Sequence, residues 1–116
     1  MDNDILAALI AYLGPYLDVQ VSSEVPADRP IRMVAIGPTG GNLDRFIAQL
    51  MYTVDAYAES DLGASQLLNA ALERLVWAHE SIDAVCRVSV QTTYRNDTDE
   101  GIHRWTATVQ IVANRY

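Results

Sequence analysis

Residues 47–57 read IAQLMYTVDAY and carry the clearest structural pattern in the sequence. Every second residue from Ala48 to Ala56 is apolar or aromatic, whereas the residues between them include Thr53 and Asp55. Successive side chains of a β-strand point to opposite faces, so this period of two predicts a long strand with one face in the core.

The last third of the chain repeats this alternation. Residues 86–94 and residues 103–111 each alternate between a more apolar and a more polar set, and the polar loop 96–101 separates them. Folding the chain about that loop places Val88 near Val109, so the two apolar sets share one side. The pattern predicts a β-hairpin.

Helical spacing occurs at two places. Apolar residues recur every three or four positions within residues 5–13, and Gly-Pro at 14–15 is expected to stop this helix. Ser60 and Asp61 can cap a second helix that runs to about His79 and carries a stripe of alanine and leucine.

Two shorter strands are predicted between the first helix and the long strand. Residues 18–25 alternate weakly, and the two prolines within residues 26–30 prevent regular pairing there. Residues 31–36 form the next strand. The glycine-rich residues 37–42 are expected to end it in a turn, because glycine permits positive φ.

The order is therefore helix, strand, strand, strand, helix, strand, strand in a single domain covering residues 1–116. The pattern predicts an α+β fold in which two helices pack on one face of a mainly antiparallel sheet of four to five strands. The other face carries short uncharged polar side chains, which suit contact with water or with a neighbouring subunit.

The composition excludes several classes of protein. Half of the residues are hydrophobic, which is typical of a folded globular chain. Fifteen acidic residues against eight arginines give a net charge of −7, and this argues against a protein that wraps nucleic acid. The negative net charge is still compatible with a surface that repels DNA. The apolar stretch at residues 5–13 is too short to span a membrane and lacks the flanks of a signal peptide, so no membrane contact is expected.

No catalytic or cofactor-binding motif stands out. His79 and His103 lie in different predicted elements, and no Gly-x-Ser-x-Gly nucleophile motif accompanies them. Residues 37–42 contain glycines but no lysine, and they lead into a strand rather than a helix, which argues against a phosphate loop. We expect no catalytic residue and no cofactor.

Metal binding and thiol chemistry are also weakly indicated. Asp97, Asp99 and Glu100 are close enough in sequence to share a divalent cation, but they lack a calcium-loop pattern, and a solvated turn is the simpler interpretation. Cys86 is the single cysteine and is expected to face the core as an inert thiol. We therefore predict no metal site.

Three residues are candidates for a subunit interface. Trp77 lies toward the polar side of the second helix, and Met51 and Tyr57 lie on the polar face of the long strand. Aromatic residues and methionine are enriched at protein interfaces. The alternative is that each side chain covers the edge of the chain's own core.

Residues 21–41 carry a resemblance to a known family. The stretch Val-Pro-Ala-Asp-Arg-Pro at 25–30, followed by a strand and Thr-Gly-Gly at 39–41, resembles the tail terminator proteins of long-tailed phages that infect actinobacteria. The later order is similar as well: a long strand with Asp-Ala-Tyr-Ala at 55–58, an alanine- and leucine-rich helix and a final hairpin. The resemblance covers almost the whole chain. It departs from the family at 96–101, where many relatives carry a proline-rich segment.

The resemblance implies a small α+β subunit that assembles into a ring, typically a hexamer, at the head-proximal end of the tail tube. Such a ring stops tube growth and helps to join the filled head. The implied partners are copies of the chain itself, the tail tube protein and a head-completion or neck protein, with DNA only as cargo passing through the lumen. The implied location is the virion, and the host cytoplasm during assembly. The family has no catalytic residue to transfer.

Two arginines are further candidates for contacts between subunits, and two alternative functions remain open. Arg29 and Arg45 lie beside the two irregular loops and are expected to pair with acidic residues of a neighbouring subunit. A head-completion or neck protein is the nearest alternative function. A small α+β enzyme or ligand-binding module, which would need an internal pocket, is the second.

Overall fold

The computed structural model describes residues 2–43, 46–96 and 101–114, and its elements follow the predicted order. The helices are α1 (Asp2–Leu17) and α2 (Asp61–Leu75), with a 3-10 turn at Ala78–Glu80. The strands are β1 (Gln20–Ser22), β2 (Met33–Leu43), β3 (Ile47–Ala58), β4 (Val85–Arg95) and β5 (His103–Asn114). The predicted α+β class is confirmed.

The five strands form one sheet in the order β1-β2-β3-β5-β4. The β2–β3, β3–β5 and β4–β5 pairs are antiparallel, whereas β1 pairs with β2 in parallel. The sheet is therefore mixed but mainly antiparallel, as predicted. Residues 23–32 carry the chain back from the end of β1 to the start of β2.

The core lies between the helices and one face of the sheet. The alternating apolar residues of β3, from Ala48 to Ala56, are all buried, which confirms the period-two interpretation. Helix α1 contributes Leu9 and Leu13, and the buried stripe of α2 includes Leu68. The predicted packing of both helices on one face of the sheet is thus observed.

The sheet is longer than the helices that cover it. A strand of 12 residues spans about 40 Å, whereas the 15 residues of α2 span about 22 Å. The described residues measure 45 × 25 × 24 Å, so the long axis matches the strand length. The β2–β3 and β4–β5 connections consequently lie at opposite ends of an elongated molecule.

Helix α1 continues past the Gly-Pro pair that was expected to stop it. Pro15 lies inside the helix, which ends at Leu17. A proline inside a helix lacks an N–H and crowds the carbonyl one turn earlier, but the bonds after it can still form: the N–H of Asp18 bonds to the carbonyl of Gly14 at 3.1 Å. Asp18 has a φ of 56°, so the chain leaves the helix through a left-handed residue.

Strand β2 also extends further than predicted. It runs through the glycine-rich residues to Leu43, and the register shifts between Pro38 and Gly40. Gly40 and Gly41 do adopt positive φ, at 147° and 143°, but inside the strand rather than in a terminating turn. Thr39 is the extra residue of the bulge, and the two glycines that follow it pair with Met51 and Leu50. Positive φ is therefore used to bend this hairpin, not to close it.

Helix α2 begins as predicted and ends earlier. The hydroxyl of Ser60 accepts a hydrogen bond from the N–H of Gly63 at 3.0 Å, which confirms the cap. The regular helix stops at Leu75, and His79 lies in the separate 3-10 turn.

The β4–β5 hairpin is present, but two predictions about it are wrong. Val88 pairs with Ile111 rather than Val109. Cys86 is exposed rather than buried, because the register shifts between Val85 and Arg87 and Cys86 is the extra residue at that bulge. An inserted residue reverses the face of its neighbours, so strict alternation misplaces the cysteine.

Candidate subunit-interface surfaces

Trp77 is exposed on the surface just beyond the end of α2. Its side chain is 57% exposed, and its N–H bonds to the carbonyl of Arg74 at 3.2 Å. The Trp77 and His79 rings lie 6.0 Å apart, centre to centre. More than half of Trp77 is open to solvent, and Trp77 stays an interface candidate.

Tyr57 lies on the predicted face of β3 but is buried. It forms a small second cluster with Met33 and Ala35, against which Ile102 packs. The guanidinium of Arg29, from the loop before β2, lies 4.5 Å from the centre of the Tyr57 ring. Of the two alternatives for Tyr57, a covered apolar position is the one observed.

Arg29 is therefore engaged within its own subunit. Besides the ring of Tyr57, it contacts the carbonyl oxygens of Pro30 at 2.9 Å and Ile31 at 3.3 Å. No carboxylate among the described residues forms an ion pair with it. Pairing with an acid of a neighbouring subunit stays a prediction, and Arg29 also holds the proline-rich loop against the sheet.

The other two candidates give less information. Met51 is half-buried on the open face of β3. Arg45 lies outside the described residues, as do Asp97, Asp99 and Glu100.

A polar network joins three elements at the N-terminal end of α2. Asp61 contacts Nδ1 of His103 at 3.1 Å and Nη1 of Arg95 at 3.2 Å. This carboxylate links the first turn of α2 to both strands of the β4–β5 hairpin. Asp61 is thus the side-chain partner of His103 among the described residues.

The neighbouring pair of Arg32 and Glu59 is solvent-exposed, with 3.3 Å between Nη1 and either carboxylate oxygen. A hydrogen bond from its own backbone, and then the Arg32 guanidinium, hold the pKa of Glu59 below its ordinary value despite the opposing effect of desolvation. An exposed pair of this kind contributes little to stability.

A second network lies on the open face of the sheet. The Thr106 hydroxyl donates to a carboxylate oxygen of Asp55 and accepts from the Asn96 amide at 3.1 Å. Thr106 is the buried polar side chain of this face, and both of its hydrogen-bonding roles are used. The network ties β3 to the end of the hairpin.

Sequence analysis missed the contact between the two helices. The Arg74 guanidinium lies between the rings of Tyr12 and Tyr16, at 4.3 and 4.9 Å from their centres. The Tyr12 hydroxyl donates to the carbonyl of Arg74 at 2.9 Å. Tyrosines four residues apart lie on one helix face, and this spacing is the signal that could have identified the pair as a clamp.

The sequence also did not predict which strand forms the edge of the sheet. Strand β4 has 11 residues and forms one border of the sheet among the described residues. Most of its side chains from Val90 to Arg95 are exposed. A long edge strand presents unpaired backbone groups to which another chain can add.

Within the described residues, no group of three or more His, Cys, Asp or Glu side chains is arranged to hold a metal ion. None of the described helices has both the length and the apolar character that a membrane span requires.

Comparisons with known proteins identify a fold and no family. No family model matches the sequence, and no curated protein matches it. Among solved structures, a chain from the virion of a native gene transfer agent particle is similar, with a TM-score of 0.57 and 12% sequence identity. The match covers 93% of this chain and 85% of that one. At this identity, the comparison shows that the two chains share a fold.

Proposed function

We propose that the chain is a virion structural protein that forms a ring, most simply a hexamer, at the head-proximal end of a phage tail tube. The observation that carries this proposal is the fold shared with a chain of a virion particle over 93% of this chain. The resemblance of residues 21–41 to tail terminators of long-tailed phages of actinobacteria supports the same role.

The exposed surfaces suit repeated contacts between copies. A closed ring needs two different patches on each subunit, one for each neighbour. More than one exposed surface is available for such patches. Trp77 near the end of α2 and the long edge strand β4 are examples of surfaces that neighbouring chains cover.

The charge balance suits a channel for DNA. A net charge of −7 disfavours lasting contact with phosphates, so DNA would pass through the lumen as cargo rather than bind. The proposed partners are the tail tube protein below the ring and a head-completion or neck protein above it. We propose an architectural role without a catalytic step, in the virion and, during assembly, in the host cytoplasm.

The test is tail-tube growth in vitro. Adding the protein to polymerising tube protein should cap the tubes and shorten their mean length, whereas an unrelated acidic protein of equal size should not. Unchanged tube length at a molar excess would contradict the terminator role. Recovery of the protein with filled heads but not with headless tails would favour the neck alternative.

A further inference from the structure

The surface formed by Tyr16, Arg74 and Trp77, here called the aromatic–arginine patch, combines two exposed rings with a fixed cation. Tyr16 is 53% exposed and Trp77 is 57% exposed. Arg74 lies one turn before Trp77, and its guanidinium packs 4.9 Å from the centre of the Tyr16 ring. Tryptophan, tyrosine and arginine are the residue types that dominate the binding energy of protein interfaces.

The charge of Arg74 has no anionic partner within the described part of the chain. Arg74 is half-buried, and no carboxylate of the described residues forms an ion pair with it. The flanking rings of Tyr12 and Tyr16 hold the guanidinium in place. A cation that is already ordered loses less entropy when it binds a carboxylate.

A complementary surface exists elsewhere on the same chain. Residues 23–28, here called the acidic segment, include Glu24 and Asp28, which are both exposed and form no ion pair with any described residue. Val25 lies between them and is 45% exposed. The segment thus offers carboxylates and an apolar side chain to a surface of rings and a cation.

We propose that the aromatic–arginine patch of one copy binds the acidic segment of the next copy. This inference rests on the proposed ring and names the contact that closes it. The two surfaces belong to different parts of the chain, so the contact is head-to-tail, which is the type that generates rings. The acidic segment supplies a carboxylate to Arg74, and Val25 packs against the exposed rings.

Native mass spectrometry over a series of concentrations, with and without tail tubes, tests this contact. Trp77→Ala, and separately Glu24→Arg with Asp28→Arg, should each raise the concentration needed for assembly about thirty-fold, the effect of losing an interface hot spot. Leu62→Ala is the matched control, because Leu62 is a large exposed residue at the other end of α2. It should leave assembly unchanged.

A charge exchange separates a lost contact from a damaged fold. Adding Arg74→Glu to the Glu24→Arg, Asp28→Arg variant should recover at least about tenfold of the lost assembly. Thermal unfolding followed by circular dichroism should show a cooperative transition for every variant used.

The outcomes that overturn the inference are distinct. Rings that form equally well from the wild type and from both weakened variants would overturn this contact and leave the proposed function standing. Rings of Trp77→Ala that form normally but no longer attach to tubes would assign the patch to another protein. A wild type that assembles neither alone nor on tubes would overturn the contact and the proposed function together.

Discussion

Gly41 lies where the backbone leaves no room for a side chain. It has a φ of 143°, and a Cβ at this position would lie 2.3 Å from the carbonyl oxygen of Gln49 on the paired strand. Neither the dihedral angle nor the contact can relax without opening the β2–β3 ladder. The glycine run thus determines how the first hairpin bends.

Gly41→Ala should therefore lower the free energy of unfolding by at least about 2 kcal/mol. The matched control is Gly14→Ala, because Gly14 is inside α1 and a Cβ there would meet no atom within 4 Å. It should raise the free energy of unfolding by about 0.5–1 kcal/mol, the difference in helix propensity. Urea unfolding of both variants measures the two effects, and equal stabilities would contradict the argument.

Thr106 supports a second prediction. Thr106→Val should cost about 1–2 kcal/mol, since the Asp55 carboxylate and the Asn96 amide would both lose their shared partner. Thr108→Val, on the same face of β5, is the control and should be nearly neutral. A loss no greater at 106 than at 108, in the same unfolding measurement, would show that the network adds nothing.

The burial of Tyr57 could not be derived from its strand. Alternation places it on the open face, which is correct, but its exposure depends on the distant loop that brings Arg29 over its ring. Likewise, the clamp around Arg74 joins residues 58 and 62 positions apart in sequence. Local periodicity gives the face of a residue and does not say what covers that face.

Among the helices and strands, α2 has the most clearly defined start. Ser60→Ala should lower the free energy of unfolding by about 1 kcal/mol, because the N–H of Gly63 loses its capping oxygen. Ser65→Ala lies inside the same helix and should be neutral or slightly stabilising. Thermal unfolding compares the two, and a larger loss at 65 than at 60 would exclude the cap as a source of stability.

The type and order of the elements followed from sequence, whereas several of their ends did not. The long strands and α2 show strong periods that match burial on one face. Pro15 and the glycines of β2 usually mark ends, but a single missing N–H or a bulge leaves the remaining hydrogen bonds in place. The pairing register of β4 with β5 was also predicted wrongly, because β4 contains bulges and a period-two pattern does not reveal bulges.

At the scale of the whole molecule, the most prominent exposed features are Trp77 and the edge strand β4. Both are surfaces that another chain could cover. The fold shared with a virion chain carries no information on a ring or on the number of subunits, so the ring stays a proposal. Sequence placed Trp77 on the polar side of the second helix and left open whether it covers the chain's own core. Tyr16 and Arg74 entered only through the packing of α1 on α2. Which residues share an exposed surface depends on which helices pack together, and local sequence patterns do not determine that packing.

We propose that this chain acts by binding copies of itself at the end of a tube. Negative-stain imaging of the purified protein mixed with tail tubes tests it most directly. We expect a ring at one end of each tube, with a subunit count that native mass spectrometry of the released ring reproduces. Bare tube ends beside a protein that stays monomeric at every concentration would contradict it.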